Sequence, residues 1–370
     1  MGVGVGALLF LLLSQGRPAL AEALMDGGLL AGVSRALSLG TGAIPFSLAE
    51  LVVLGFLVRQ GAGLAGEWRR RGRGQGRDRF ARLLTRGSLR LGQDLGVLVA
   101  LFVVLWGLQY PRPGLEVRLG LSPLEEVSVE EVESLARMAV SHTNHFYEVV
   151  HGSLDGGEPT PAAPRGELLT ELEAGWERVA SRYGLPERAG LRHGSPKPLL
   201  ATALVRPFGV AGIYFPFTGE ALLLRDLPGV LLPKEMAHEM AHQRGFASEA
   251  DANALAFLVA RETADPRINY AGYVFLQGQL VGELALRDPD RAQAVREELA
   301  PGVVRDLQDR ARYWAVARGW TRWVGLSLND LMLRAHGVPE GVASYQRSTR
   351  IFLALARAEG EEALLPRSNP

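Results

Sequence analysis

Cysteine is absent from the 370 residues of this chain. With it go disulfides, thiolate metal sites and cysteine nucleophiles. Lysine is almost absent too, since Lys197 and Lys234 are the only two, and arginine carries nearly all the positive charge. No G-x-S-x-G elbow and no G-K-[ST] phosphate loop occurs, so the usual signatures of serine hydrolases and nucleotide-binding folds are missing. Neither sign of charge is in excess. Lys+Arg and Asp+Glu number 40 each, a formal net charge of +0, which gives no general electrostatic reason to expect a nucleic-acid partner. There is no internal repeat and no low-complexity tract. The lack of cysteine does not exclude an extracytoplasmic location, because a domain of this size buries enough apolar surface without cross-links.

What the chain does have, before residue 111, is three apolar runs: GVGVGALLFLLL (2–13), IPFSLAELVVLGFLV (44–58) and LGVLVALFVVLWGL (95–108). Each is shorter than the roughly 20 residues that span a bilayer, but flanking Gly, Ala and Ser extend them to about 2–20, 42–60 and 91–110. Trp106 and Tyr110 fall where an interfacial aromatic belt belongs. The first run reads either as a retained anchor or as a signal peptide with a small-residue cleavage site at Ala19, Leu20 and Ala21. Between the second and third runs, residues 59–90 carry ten arginines against Glu67 and Asp78. A short basic stretch between two hydrophobic spans fits the positive-inside rule better than an RNA or lipid patch. The expectation is therefore a bacterial cytoplasmic membrane protein, multi-pass, with residues 1–110 as its membrane region. A domain of residues 111–370 would lie on the extracytoplasmic side.

In that second part, Ser128 with Glu131 opens a helical pattern running to about residue 150, and another helix is expected from Arg165 to Tyr183, closed by Gly184. Residues 198–205, 209–217 and 220–227 are short, apolar or alternating, and punctuated by Pro and Gly, as strands of one small sheet would be. Beyond them the pattern is helical nearly to the end, with Gly337 and Gly341 as breaks. The fold class expected is α+β: transmembrane helices, then a mostly helical domain with a small β-sheet.

Residues 238–253 read HEMAHQRGFASEADAN. On a helix from Leu231 to Phe246, with Pro233 in its first turn, His238 and His242 stand one above the other and offer two imidazoles to one point. That geometry suits one Zn2+ ion at about 2.0–2.1 Å from each nitrogen. Glu239, one step round the helix, is placed to act as general base without ligating. A third ligand is needed. Were the helix unbroken, Glu249 would lie roughly 10 Å further along the axis. A stop at Gly245, with the glycine left-handed, lets the chain turn back so that Glu249 reaches the ion from the first turn of a second helix capped by Ser248. Asp251 is the rival ligand. Asn253 would hydrogen-bond a ligand from behind. For the oxyanion, Tyr270, Tyr273, His193 and Arg267 are the candidates. The histidines of HTNH (142–145) and His151 read as surface or core residues. Residues 209–217 or 220–227 read either as the edge along which an extended substrate would bind by strand addition or as ordinary core sheet.

The order of these features resembles an uncharacterised bacterial membrane-protein family, the domain of unknown function 3810. The likeness is carried by AIPFSLAE (43–50), GVAGIYFPFTGEA (209–221), HEMAHQRGFASEADAN (238–253), INYAGYVF (268–275) and GVASYQRS (341–348). Its members pair N-terminal hydrophobic spans with a gluzincin-like motif, HE-x-AH-Q-x-G…E-x-x-AN. The resemblance implies a zincin-like, peptidase-type site with His238, His242 and Glu249 as ligands and Glu239 as base, and gives no substrate. Two functions stand as expectations: a zinc metallopeptidase acting on a peptide or protein in the cell envelope, or a non-catalytic envelope sensor or assembly protein with a structural or vestigial metal site.

Overall fold

The computed structural model describes all residues except 1, 16, 27, 70–75, 125, 156, 336–346 and 368–370. Arg70, Arg71, Arg73, the breaks at Gly337 and Gly341, and residues 341–346 of the last family-like stretch thus lie outside the described residues. The chain is mostly helical, with a three-stranded sheet and two apolar helices near its start.

Five helices come first: α1 (Gly2–Gln15), α2 (Pro18–Met25), α3 (Leu29–Gly42), α4 (Leu48–Arg69) and α5 (Gly76–Leu105), the last followed by a 3-10 turn, Gly107–Gln109. α4 and the segment Thr85–Gln109 are long and apolar enough to cross a membrane. Both leave their apolar side chains outward: Leu51, Val52, Val53, Leu54, Leu57 and Val58 on α4, and Leu95, Val97, Leu101 and Val104 on α5, are exposed. Exposed apolar surface of this extent marks a site of contact with protein or membrane. The expected first span differs. The apolar part of α1 is only Gly2–Leu11, and the helix lies against α5, with Gly4 so close to Gly96 that a Cβ would come within 2.7 Å of its Cα. Leu11, Met25, Val103 and Leu108 close that contact. The arginine-rich stretch expected as a loop is also largely helical. α4 continues to Arg69 and α5 begins at Gly76, and acids across the pair hold the arginines: Arg59 chelates Asp94 at 2.9 and 3.0 Å, and Glu67 faces Arg86 and Arg90.

The remainder runs α6 (Leu115–Arg118), α7 (Val129–His151), α8 (Arg165–Arg182), α9 (Glu187–Gly190), β1 (Lys197–Leu199), α10 (Thr202–Val205), β2 (Gly212–Phe215), β3 (Glu220–Leu224), α11 (Leu232–Gln243), α12 (Glu249–Arg261), α13 (Pro266–Arg287), α14 (Pro289–Glu297), α15 (Pro301–Trp314), α16 (Gly319–Ala335) and α17 (Arg347–Glu359). α7 forms where expected. The Ser128 hydroxyl accepts from the Glu131 amide, and Val132, Leu135, Ala136, Ala139, Val140, Thr143 and Tyr147 recur at helical spacing on the buried face. α8 likewise ends at Tyr183, with Gly184 left-handed. α12 is apolar nearly all round, and every residue from Ala250 to Arg261 is buried, so it forms the axis on which α8, α11, α13 and α17 pack.

The sheet has the order β1-β3-β2, with β1 parallel and β2 antiparallel to β3. Two of the three expected strands are confirmed in place. The first is cut short: after Leu199 the Thr202 hydroxyl bonds the Leu199 carbonyl and the Arg225 amide, and the chain turns into α10. Central β3 is wholly buried, whereas β2 is the half-exposed edge beside α11.

The sheet is tied to the start of α4 by one carboxylate. Glu220, on β3, accepts from the Leu48 and Ala49 amides at 3.0 and 2.7 Å, which neutralises the otherwise unpaired donors at a helix N-terminus. It also pairs with buried Lys197, whose ammonium caps the Thr41 and Phe46 carbonyls. Removing one partner strands the other in a dry site. Lys197→Met should therefore cost about 3–5 kcal/mol. The measurement is denaturant unfolding of the detergent-solubilised chain, and an unchanged midpoint would show that the pair holds nothing together.

Candidate metal centre

The site grows from the end of α11. Pro233 occupies its first turn, where the missing amide costs nothing. Four residues apart on one face, His238 and His242 bring their Nε2 atoms to 3.1 Å with the rings nearly perpendicular. The helix then stops. Gly245 has φ +90, its amide donates to the His242 carbonyl at 2.8 Å, and the Phe246 amide donates to the Ala241 carbonyl at 3.1 Å. This is the Schellman closure, which needs a glycine at that position. The Arg188 guanidinium fills the space a Cβ would take, donating to the Arg244 and Met25 carbonyls, while Arg112 donates to the Gly245 carbonyl.

The reversal delivers Glu249 as the first residue of α12, whose N-cap Ser248 accepts from the Asp251 amide. Glu249 Oε2 stands 3.2 Å from His238 Nε2 and 3.7 Å from His242 Nε2. A tetrahedral ion with ligands at 2.0–2.1 Å keeps any two of them about 3.3 Å apart. The three separations, 3.1, 3.2 and 3.7 Å, are those of a group that could hold one metal ion. Among the described residues, His238, His242 and Glu249 are the one His/Asp/Glu group so gathered. His242 is also aimed: its Nδ1 donates to the Phe246 carbonyl at 2.7 Å, which turns Nε2 toward the group.

Electrostatics favour a cation here. Burial works against charge on His242, but the Glu249 carboxylate outweighs it and the imidazole is raised to about 9. Burial likewise opposes charge on Glu249, yet the two histidines hold it well below the usual carboxylate range. The pocket therefore favours one positive charge beside a carboxylate, which a proton or a metal ion can supply. Glu239 is different. Burial pushes its carboxyl up to about 8, with Glu249 and Glu235 adding and His242 and Lys234 opposing. Its Oε2 is buried without a partner. The carboxylate rests on edge strand β2, where a Cβ at Gly212 would lie 2.5 Å from Oε1.

Other expected residues lie elsewhere. Asp251 faces away from the trio, accepting from the Leu115 amide at 3.0 Å, and burial pushes it up to about 6. Asn253 does face α11, but it accepts from Lys234 Nζ at 2.8 Å and so binds helix to helix rather than a ligand. Tyr270 donates to Asp306 and Tyr273 to the Leu364 carbonyl, on the far side of α13. Arg267 pairs with Asp265 and Glu167. His193 donates to the Leu191 carbonyl. None of these four candidates belongs to the trio; each is bonded elsewhere, Tyr270, Tyr273 and Arg267 to partners on other elements and His193 within its own loop. His142 packs at a tilt on Tyr273, His145 packs edge-on to Phe146, and His151 bonds Thr160, as surface or core histidines do.

The sequence reading missed the aromatic rim. Trp106, just past the end of α5, puts its ring edge-on to His242 at 5.9 Å and lies 4.7 Å from Tyr214 of β2. Tyr110 packs on Trp106, and burial pushes its phenol up to about 12, with the Glu249 charge adding. In the sequence Trp106 and Tyr110 read only as belt residues, and nothing local to them points at a motif about 130 residues on. Gln243 was also missed: its amide donates to Ser38, Gly194 and Gly219, tying α11 to α3 and the sheet.

Two outcomes follow from this packing. Gly245→Ala forces a left-handed alanine and displaces Arg188, costing at least about 1–2 kcal/mol from the backbone alone. It should abolish stoichiometric metal in the purified chain, and full metal content would show that the reversal is not what assembles the ligands. His193 is held neutral, well below its ordinary range at about 3, by burial and by Arg244, Arg188 and Arg35. A depressed histidine means that the unfolded chain binds the extra proton. Its contribution is complete above pH 6.5 and is lost as pH falls toward 3, by at most about 1.4 kcal/mol per pH unit. Between pH 7 and 5 wild type should lose more stability than His193→Gln; parallel unfolding curves would remove His193 as the cause.

No curated protein and no solved structure matches the chain. The family described as Protein of unknown function (DUF3810) matches residues 27–353, which takes in both apolar helices, the sheet and the metal trio. The chain belongs to that family.

Proposed function

We propose that this protein is a membrane-anchored zinc metallopeptidase with a zincin-like, gluzincin-type site. One observation carries the reading: two imidazole nitrogens and a carboxylate oxygen stand at the mutual spacings of a tetrahedral zinc site, and an unpartnered, buried glutamate lies beside them against an edge strand. His238, His242 and Glu249 would hold the ion. Bound zinc supplies Lewis acidity, lowering the pKa of a water toward 7 and polarising a carbonyl.

The rest is done by the chain's own groups. Glu239, whose buried Oε2 has no other partner beside the trio, is suited to take a proton there and return it to the leaving amine. Among the described residues β2 has β3 as its one sheet neighbour. Its other edge offers main-chain donors and acceptors to an extended peptide, which supports β2 over wholly buried β3 as the substrate strand. Gly212 lets that strand approach Glu239. Lys234, fixed by Asn253 and lying over the Phe275 ring, braces the helix one turn before His238.

With α4 and α5 as spans and their arginine-rich ends in the cytoplasm, the site lies on the extracytoplasmic face of the bacterial cytoplasmic membrane, in a multi-pass chain. Its substrate is a peptide or protein of the cell envelope.

Purified full-length chain should carry one zinc, lost in His238→Ala. Glu239→Gln should keep the metal while peptide cleavage falls by about 10²–10⁴-fold. Gly212→Ala should also keep the metal and lose about 10²-fold by displacing the base. The activity readout is a comparison of cell-envelope proteins with wild type and with Glu239→Gln. Absence of zinc from wild type sinks the reading. Zinc with identical envelope proteomes hands it to a non-catalytic sensor or assembly role.

A further inference from the structure

Among the exposed large apolar side chains outside the spans, five come from two neighbouring elements: Leu200 (58% exposed), Leu204 (73%), Trp320 (71%), Trp323 (69%) and Leu326 (46%). They come from two distant parts of the sequence, α10 with the residue group before it and α16, and the fold draws both to one corner. Glu50, in the first turn of α4, accepts from the Leu200 amide at 3.0 Å and the Ala201 amide at 2.7 Å. Leu200 therefore sits at the mouth of α4, one turn from Leu51, where the exposed apolar surface of that helix begins. α10 runs straight into the 3-10 turn Arg206–Phe208, and α16 packs on that turn. The contact is close, since Gly325 lies against the Phe208 carbonyl with no room for a Cβ. Arg318 and Arg322, on either side of Trp320, are exposed as well.

We infer that Leu200, Leu204 and the tryptophan face of α16 form an interfacial platform seated in the outer headgroup layer of the bilayer that α4 and α5 cross. Tryptophan is the side chain best suited to that depth, having an apolar body with one polar N–H. A helix presenting Trp and Leu beside exposed arginines is the pattern of in-plane membrane binding, the cations meeting lipid phosphates. What selects lipid over a protein partner is continuity: the patch adjoins the entry point of an apolar span, so a surface that the spanning reading already places in the membrane runs on into it. The inference rests on that reading, and the test separates the two.

The chain has no cysteine, so single cysteines take a nitroxide cleanly. Full-length Leu204→Cys and Trp323→Cys, with Val53→Cys on α4 and Gln293→Cys on exposed α14 as references, are labelled and reconstituted in vesicles of phosphatidylethanolamine and phosphatidylglycerol. Power-saturation EPR compares collisions with oxygen, which partitions into lipid, and with a nickel chelate, which does not. The expected oxygen-to-nickel ratio at 204 and 323 is severalfold above that at 293 and below that at 53. Should Trp323→Cys fail to fold, Trp320→Cys serves. Labels at 204 and 323 that behave like 293 while 53 stays in lipid overturn the platform and leave the spans. A label at 53 that behaves like 293 overturns both. Labels at 204 and 323 closed to both colliders, or broadened by a second copy until diluted with unlabelled chain, mean that protein covers the patch, and the platform is wrong.

Discussion

A single backbone reversal decides whether the three potential ligands meet. α11 supplies two imidazoles on one face, and no residue further along that face of a straight helix could join them. The left-handed Gly245 folds the chain back, and the two buried arginines that cover it, Arg188 and Arg112, bind the carbonyls that the ended helix exposes. Their anchorage is wide. Arg188 also reaches the Met25 carbonyl at the end of α2, and Arg112 pairs with Asp26. The turn that assembles the trio is thus built partly from the N-terminal helices, so the site is not a self-contained insert in the second half of the chain.

Much of this could be read from sequence, and the reason is that the legible parts are local. His238 and His242 share a face by helical spacing, Gly245 marks a stop, Ser248 marks a start, and Glu249 follows within four residues. α7 and α8 carry their own caps and periodicity. Where the reading went astray, the deciding partner was remote. Asp251 looks as eligible as Glu249 until the Leu115 amide, 136 positions away, takes its carboxylate. Asn253 faces the motif helix as expected, yet Lys234 claims it. Tyr270 and Tyr273 have the right chemistry for an oxyanion, but Asp306 and the Leu364 carbonyl hold them across α13. The helical turn of α10 in place of strand comes from one hydroxyl, Thr202, bridging two backbone groups. Spacing sets which face a side chain occupies; which neighbour it meets there is a property of the fold.

Among the places where the two halves of the chain meet, two lie on the sheet. At one end Glu220, paired with Lys197, caps the amides that open α4. At the other, Phe102 and Trp106, one turn apart at the end of α5, lie against Phe217 and Tyr214 around the edge strand. Two rigid helices fixed at separate points of one small sheet leave it little freedom to rotate against them. The edge strand that rests on Glu239 therefore has its position set as much by the apolar helices as by its pairing with β3.

That arrangement bears on why an otherwise costly group is tolerated. A carboxyl with no partner, buried beside another carboxylate, destabilises the fold by a few kcal/mol. Such a group persists only when its surroundings are over-determined. Here they are: Gly212 is held by the sheet, the sheet by α4 and α5, and α11 by Gln243, by Asn253 through Lys234, and by the buried Arg244–Glu173 pair. Glu239 cannot relax toward solvent without breaking several of these at once. Under the proposed function, that fixed placement keeps Glu239 beside the trio as the group that takes and returns a proton.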